Sequence, residues 1–171
     1  VPMTVIPTGI DLKKTKRRYD TSGFRKKYNI GPNDKVLIFV GRLGKEKNIY
    51  FLFEVFKHVH KLLPHTKLFL AGDGPEREGL VAFAQESGIL EHVIMPGYLS
   101  HDDVMAAYAA SNVIAFPSKT ETQGLSLLEG LSMGRPAVCL SEMGVKDILA
   151  NEKGGFLTPA WMAWRFARSA I

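Results

Sequence analysis

Four side chains in this sequence have types and spacings that could do chemistry: the carboxylates Glu121 and Glu129, and the cations Arg42 and Lys47. The two acids lie eight residues apart and bracket Gly124 in the stretch FPSKTETQGLSLLEGLSMG, residues 116–134. An ionised carboxylate only accepts hydrogen bonds, and its two oxygens suit the vicinal hydroxyls of a sugar. On one regular helix the two acids would sit about 80° apart, as an ordinary surface pair does. With Glu121 in a loop and Glu129 on the helix behind it, they would reach different parts of one ligand. The first free N–H groups of that helix, from about Gly124 to Ser126, form an end that attracts anions. A helical side chain leans toward its own N-terminus, so Glu129 would lean back toward a ligand held there.

Arg42 and Lys47 share the short segment GRLGKEKN, where Gly41 and Gly44 let the backbone come close to a ligand. A guanidinium fork and an ammonium point charge beside glycines suit a diphosphate, although a solvated loop has the same composition. Paired acids alone would also serve a glycoside hydrolase. A hydrolase needs no diphosphate cradle, whereas a sugar attached to a diphosphate takes up acids, cations and helix end together.

The elements that must position these residues are legible as alternating patterns. Thr4 to Pro7 reads as a short strand or linker, followed by a small helix from Thr21 to Tyr28 capped by Thr21 or Ser22. Val36–Val40, Lys67–Ala71, Val93–Met95, Val113–Phe116, Pro136–Leu140 and Gly155–Leu157 are short apolar runs that suit strands buried on both faces. Between them fall helical patterns. The first is capped by Asn48 and stopped by Pro64; another follows Gly72 to Pro75, with Pro75 near its first position; a third opens on the box Ser100-x-x-Asp103. Leu125–Met133 and Gly144–Leu149 complete the set. This alternation predicts an α/β fold, a Rossmann-like doubly wound parallel sheet of about six strands with helices on both faces. We expect one domain over residues 1–171: a linker and small helix at 1–34, the core at 35–159, and a terminal helix at 160–171. Ligands of such sheets bind outside the carboxyl ends of the strands. That selects Gly41–Asn48, Gly72–Pro75, Gly97–Ser100 and Pro117–Gly124, where the unusual chemistry falls.

Composition narrows the classes further. The 171 residues are 46% hydrophobic, enough for one substantial core, with no run of about 18 apolar residues that would span a membrane. Cys139 is the single cysteine and lies in an apolar run, so it reads as a buried bystander without a disulfide partner. A cytoplasmic setting fits these features. Eight of the 22 basic residues crowd into Lys13–Lys27, a cluster that could favour an anionic membrane surface or form a solvated face. No stacking aromatics interleave with those charges as a single-strand nucleic-acid binder requires, and the five histidines read as no metal site, since His58 and His60 diverge two apart on a helical pattern and His65, His92 and His101 are scattered. Neither a Walker A loop nor a G-x-G-x-x-G follows the first strand, which disfavours a nucleoside triphosphatase and an ordinary dinucleotide fold.

Beyond these features, VIPTGID at 5–11, VGRLGKEKN at 40–48, AGDGPER at 71–77 and FPSKTETQGLSLLEGLSMGRP at 116–136 resemble the C-terminal, donor-binding domain of the retaining GT-B glycosyltransferases of family 4. The resemblance implies a UDP- or GDP-hexose donor, no metal and no other cofactor. It implies that Arg42 and Lys47, with Gly41, bind the donor diphosphate and that Glu121 meets the transferred hexose, these three charged residues serving the transfer step. Glu129 would hold the ribose, the amides of Gly124 and Leu125 the distal phosphate, and the main chain at Gly97 and Tyr98 would face the base. An N-terminal acceptor domain would complete the enzyme, so this chain alone should bind donor without transferring it. A membrane lipid or glycan is the expected acceptor, at the inner face of the membrane. The tail PAWMAWRFARSAI departs from the family pattern, with Trp161, Trp164, Ala167 and Ile171 on one stripe. A sugar-nucleotide epimerase on the same frame and a non-catalytic nucleotide-binding module are the alternatives.

Overall fold

Each central strand sends alternate side chains to opposite faces, and both faces are covered. In the computed structural model, which describes residues 9–12, 17–120, 124–140, 145–149 and 154–158, six strands form one all-parallel sheet. They are β1 (Lys35–Val40), β2 (Thr66–Ala71), β3 (Val93–Gly97), β4 (Val113–Phe116), β5 (Ala137–Leu140) and β6 (Gly155–Thr158). The helices are α1 (Thr21–Lys27), α2 (Ile49–Leu62), α3 (Arg77–Glu86), α4 (His101–Ala110), α5 (Leu125–Ser132) and α6 (Val145–Ile148). Short 3₁₀ turns occupy Lys45–Lys47 and Leu90–His92.

The spatial order is β3-β2-β1-β4-β5-β6, with β1 paired to both β2 and β4. Leu37, Phe39, Leu68, Leu70, Ala115 and Val138 pack on one side against α2 and α3, through Leu52, Phe53, Phe56 and Leu80. Val36, Ile38, Phe69, Ile114, Phe116 and Cys139 pack on the other against Phe24, Met105, Tyr108 and Leu127. The continuous apolar runs of the sequence are thus strands buried on both faces, as parallel sheets covered by helices require. Burial pushes the Cys139 thiol far above its ordinary range, which leaves it inert.

Several local expectations need correction. α1 is capped by Asp20, whose Oδ1 accepts from Gly23 N–H at 2.8 Å, and not by Thr21 or Ser22. Pro75 lies ahead of α3, which begins at Arg77. The capping box at Ser100 forms, with its Oγ accepting from Asp103 N–H at 3.1 Å. Pro96 falls inside β3, an edge strand, where a missing donor is tolerated. β5 begins at Ala137, one residue later than expected, and the carbonyl of the preceding Pro136 accepts from Ile114 N–H at 2.9 Å. The stretch Thr4–Pro7 and the tail 160–171 lie outside the described residues.

The basic cluster is partly an internal fastening. Arg25 donates to the carbonyls of Ala110, Gly31 and Asp34 at 2.9, 2.5 and 2.7 Å, tying α1 to the end of α4 and the approach to β1. Arg17 and Lys27 stand 4.0 Å from Asp102 and Asp103 on α4. Only Arg18 and Lys26 among the described members of the cluster are exposed without such a partner.

Nor are all the histidines scattered. His60 and His92 stack at the amino end of the sheet with ring centroids 3.8 Å apart, and His60 Nδ1 lies 3.2 Å from Thr66 Oγ1. Burial first, then the charges of His60 and Lys67, hold the His92 imidazole below its ordinary value, against an opposing pull from Glu91 and Asp34. The native state therefore binds this proton less readily than the unfolded chain. The stabilising contribution is complete above the ordinary imidazole range and is lost as pH falls through it toward the depressed native value. We predict that the urea midpoint drops between pH 7.5 and 5.5, and that His92→Phe, which keeps the stack but takes no proton, drops less. Parallel profiles for the two proteins would remove His92 as the cause.

Candidate functional site

The site is built on the two segments that leave the carboxyl ends of β1 and β4. After β1 the chain continues alongside the end of β2 in an irregular ladder. Gly41 N–H donates to Ala71 carbonyl at 3.0 Å, Leu43 N–H to Asp73 carbonyl at 2.9 Å, and Glu76 N–H to Leu43 carbonyl at 3.0 Å. Gly72 makes this possible. A Cβ there would stand 1.9 Å from the Gly41 carbonyl oxygen, and its φ of +138° is itself unfavourable for other residues. Gly72–Pro75 is therefore the platform that holds the cationic segment, more than the bare turn its composition suggests.

On that platform Arg42 projects as an exposed side chain, while Lys47 is half-buried in the 3₁₀ turn that ends at it. No ion pair or side-chain hydrogen bond engages Arg42 among the described residues. Asn48 follows in the left-handed region (φ 56°, ψ 39°) and makes no capping bond to α2, contrary to its expected role. Its Nδ2 donates instead to the Pro117 carbonyl at 3.3 Å. Lys119 N–H reaches the Glu46 carbonyl at 3.4 Å. These two bonds join the segment after β1 to the one after β4.

α5 begins behind Gly124, whose φ of +56° and lack of a side chain leave the first helical turn without a side-chain cap. The turn is held from below by Tyr108, which donates from its buried hydroxyl to the Ser126 carbonyl at 2.5 Å. Burial, and secondarily the charge of Glu129, push that phenol well above its ordinary value, so it stays a donor. Glu129, one turn along, is half-buried and faces the same way as the exposed Leu125, as residues four apart on a helix do. Both line a cleft of about 230 Å³ with Gly9, Ile10, Asp11, His101 and Met105. Within it His101 Nδ1 lies 3.9 Å from Glu129 Oε1.

The structure thus brings Gly41, Arg42 and Lys47 next to the start of the segment that carries Gly124, Leu125 and Glu129. It does not gather all of them into one cleft: Arg42, Lys47 and Tyr98 are not among the residues lining the cavity at Glu129. Glu121 lies outside the described residues. Tyr98 is 78% exposed, so its ring does not cover the sheet edge, while Gly97 carbonyl accepts from Gly72 N–H at 2.9 Å. Sequence reasoning missed Asp11, His101 and the bridging use of Asn48. Only Asn48 carried a signal, since asparagine is one of the few residues that tolerate the left-handed region where a strand loop meets a helix. Among the described residues no three His, Cys, Asp or Glu side chains stand together as metal ligands, and no helix is long and apolar enough to cross a membrane.

An all-parallel sheet in this strand order, with glycine-rich and cationic segments meeting at its carboxyl edge, defines a doubly wound α/β domain of the kind that binds nucleotides at the point where the strand order reverses. The chain belongs to the glycosyl transferases group 1 family, whose pattern matches residues 20–169. It is 32% identical over 161 residues to an alpha-monoglucosyldiacylglycerol synthase of Streptococcus pneumoniae, covering 92% of this chain and 36% of that protein. To the sulfoquinovosyl transferase of Arabidopsis thaliana it is 32% identical over 148 residues, covering 86% of this chain and 28% of that one. Its fold superimposes on the crystal structure of Anabaena HepE in complex with UDP-glucose with a TM-score of 0.83 at 22% identity, over 95% of this chain and 45% of that one. The fold is that of one half of a GT-B glycosyltransferase. The chain spans about a third of the length of the curated relatives it matches.

The platform makes a prediction of its own. Gly72→Ala should lower folding stability by about 1–3 kcal/mol, the scale of forcing a side chain into a disallowed backbone region. Urea denaturation measures this, and a variant as stable as the parent would show that the Gly41–Gly72 contact yields without cost.

Proposed function

We propose that this chain is the nucleoside-diphosphate-sugar binding half of a retaining family 4 glycosyltransferase that transfers a hexose. The observation that carries this reading is the pair of bonds joining the two segments, Asn48 to Pro117 and Lys119 to Glu46, which bring the cationic loop beside the approach to α5. Arg42 and Lys47 bind the donor diphosphate beside Gly41, and the amides of Gly124 and Leu125 take its distal phosphate in place of the missing cap. Glu129 accepts from the ribose hydroxyls, Glu121 from those of the hexose, and the main chain at Gly97 and Tyr98 faces the base. That a distant structural neighbour was crystallised with UDP-glucose supports a nucleotide-sugar donor.

The chemistry follows from the charges. As the glycosidic bond to the diphosphate breaks, negative charge grows on the leaving phosphate oxygen. Cations and helix amides fixed at that point bind the transition state more strongly than the ground state. Arg42, Lys47 and the first turn of α5 would carry that charge without a metal ion or other cofactor. The acceptor is bound by a separate N-terminal half, so residues 1–171 alone bind donor and do not transfer it.

A lipid acceptor at the cytoplasmic face of a membrane is the finer reading. It is supported by the name of the pneumococcal relative, a diacylglycerol-glycolipid synthase. With Arg25 turned inward, Arg18 and Lys26 are the described charges of the basic segment that remain for an anionic surface.

Calorimetric titration with UDP, GDP and ADP tests the reading, because a donor site selects among bases and a non-catalytic module that has lost it does not. Arg42→Ala should weaken the preferred nucleoside diphosphate by about 1.5–3 kcal/mol, the scale of a charged hydrogen bond; an unchanged Kd would take Arg42 out of the site. Glu129→Ala should weaken ribonucleotides and leave 2′,3′-dideoxy forms nearly untouched. Equal losses for both would contradict the ribose role.

A further inference from the structure

We propose that His101 is a positioning residue for Glu129, holding the carboxylate at the nucleoside end of the site, and that donor affinity depends on the charge of this imidazole. The inference rests on the ribose role of Glu129 proposed above and adds a residue and a form of control to it. His101 is the first residue of α4, immediately after the cap Ser100, so its ring stem is fixed by a capped helix start. Its Nδ1 lies 3.9 Å from Glu129 Oε1, and the two side chains line one cleft with Leu125, Met105 and Asp11. Both are partly screened from water, with side chains 42% and 25% exposed.

A glutamate side chain has three rotatable bonds and loses freedom when it must present both oxygens to a diol. An imidazolium at ion-pair distance narrows that choice by drawing one oxygen toward α4. Each carboxylate oxygen accepts more than one hydrogen bond, so the contact leaves capacity for hydroxyls. The cleft is also lined by Asp11, a second acid.

Imidazoles are the side chains whose charge ordinarily changes between pH 5 and 8. The charged and titratable groups around His101 among the described residues are Glu129 on α5, Asp11 on the opening segment, and Asp102 and Asp103 on α4 with their partners Arg17 and Lys27. Tyr108, behind Glu129, stays protonated throughout that window.

The test uses UDP-glucose, and GDP-mannose in parallel, because a doubly esterified diphosphate has no proton to lose between pH 5.5 and 8. For the sugar nucleotide that binds, affinity should be about threefold higher at pH 5.5 than at pH 8, the scale of a partly exposed ion pair. His101→Ala should bind as the parent does at pH 8 and show no rise on acidification, and His101→Lys should hold the high affinity at both. In a Glu129→Gln background His101→Ala should change nothing further, an outcome that a merely structural role for His101 would not produce. Donor binding that responds to Glu129→Ala but is indifferent to His101 and to pH would overturn the inference and leave the donor site standing. If neither sugar nucleotide binds, the donor site fails and the inference with it.

Discussion

The reversal of strand order between β1 and β4 is the constraint on which the site depends. The two strands are neighbours and parallel, so both chains emerge at the same edge of the sheet. They then turn to opposite sides: α2 packs through Leu52, Phe53 and Phe56 on one face, and α5 through Leu127 on the other. Backbone that separates in this way leaves a crevice with unpaired polar groups along its walls. Here the crevice is spanned by two hydrogen bonds, from Asn48 and from Lys119, and its lip carries the cations. Burial of both sheet faces fixes where the strands end, and the strand ends fix where the two segments of the candidate site meet.

Rigidity at that edge comes from close backbone contact more than from side chains. The ladder through Gly41, Leu43, Asp73 and Glu76 prolongs the pairing of β1 with β2 beyond the regular strands, and Gly72 permits it by carrying no Cβ. On the other wall Tyr108 supports the first turn of α5 with one buried hydroxyl. A site on loops is usually less well defined than one on helices or strands. These loops are extensions of the sheet on one side and a supported helix start on the other, so Arg42 and Glu129 stand on fixed backbone although neither is deeply buried.

Much of this was legible in the sequence, for a physical reason: strands buried on both faces are apolar almost throughout, and VLIFV, KLFLA, VIAF and AVCL are runs of that kind and of strand length. The loops named by the carboxyl-edge rule are the ones that carry the glycines and charges. What stayed illegible was pairing between segments far apart in the chain. His60 and His92 stack across 32 residues of sequence, and His101 meets Glu129 across 28. No local pattern announces such a contact, because it is set by how helices pack on the sheet. Asn48 was misassigned for a different reason. Its position at a helix start suggests a cap, but a residue at φ 56° turns its side chain away from the helix and toward Pro117. Arg25 shows the same limit, since within a run of basic residues nothing marks the one whose guanidinium closes three carbonyls.

Exposure of Arg42 decides how the two halves of such an enzyme would share the work. Two unit charges 4 Å apart interact by about 1 kcal/mol in water and by several times that where water is partly excluded. On the proposed reading, with Arg42 open to solvent, this domain would choose a diphosphate ligand by geometry but would stabilise charge growing on it only weakly. Stronger stabilisation requires that something cover the crevice and lower the local dielectric. On the proposed reading the covering surface is the acceptor-binding half, so its closure does two things at once: it delivers the acceptor and it strengthens every contact Arg42 and Lys47 make to the leaving group. On that reading binding selectivity would reside in the described domain, and rate enhancement would be a property of the closed pair.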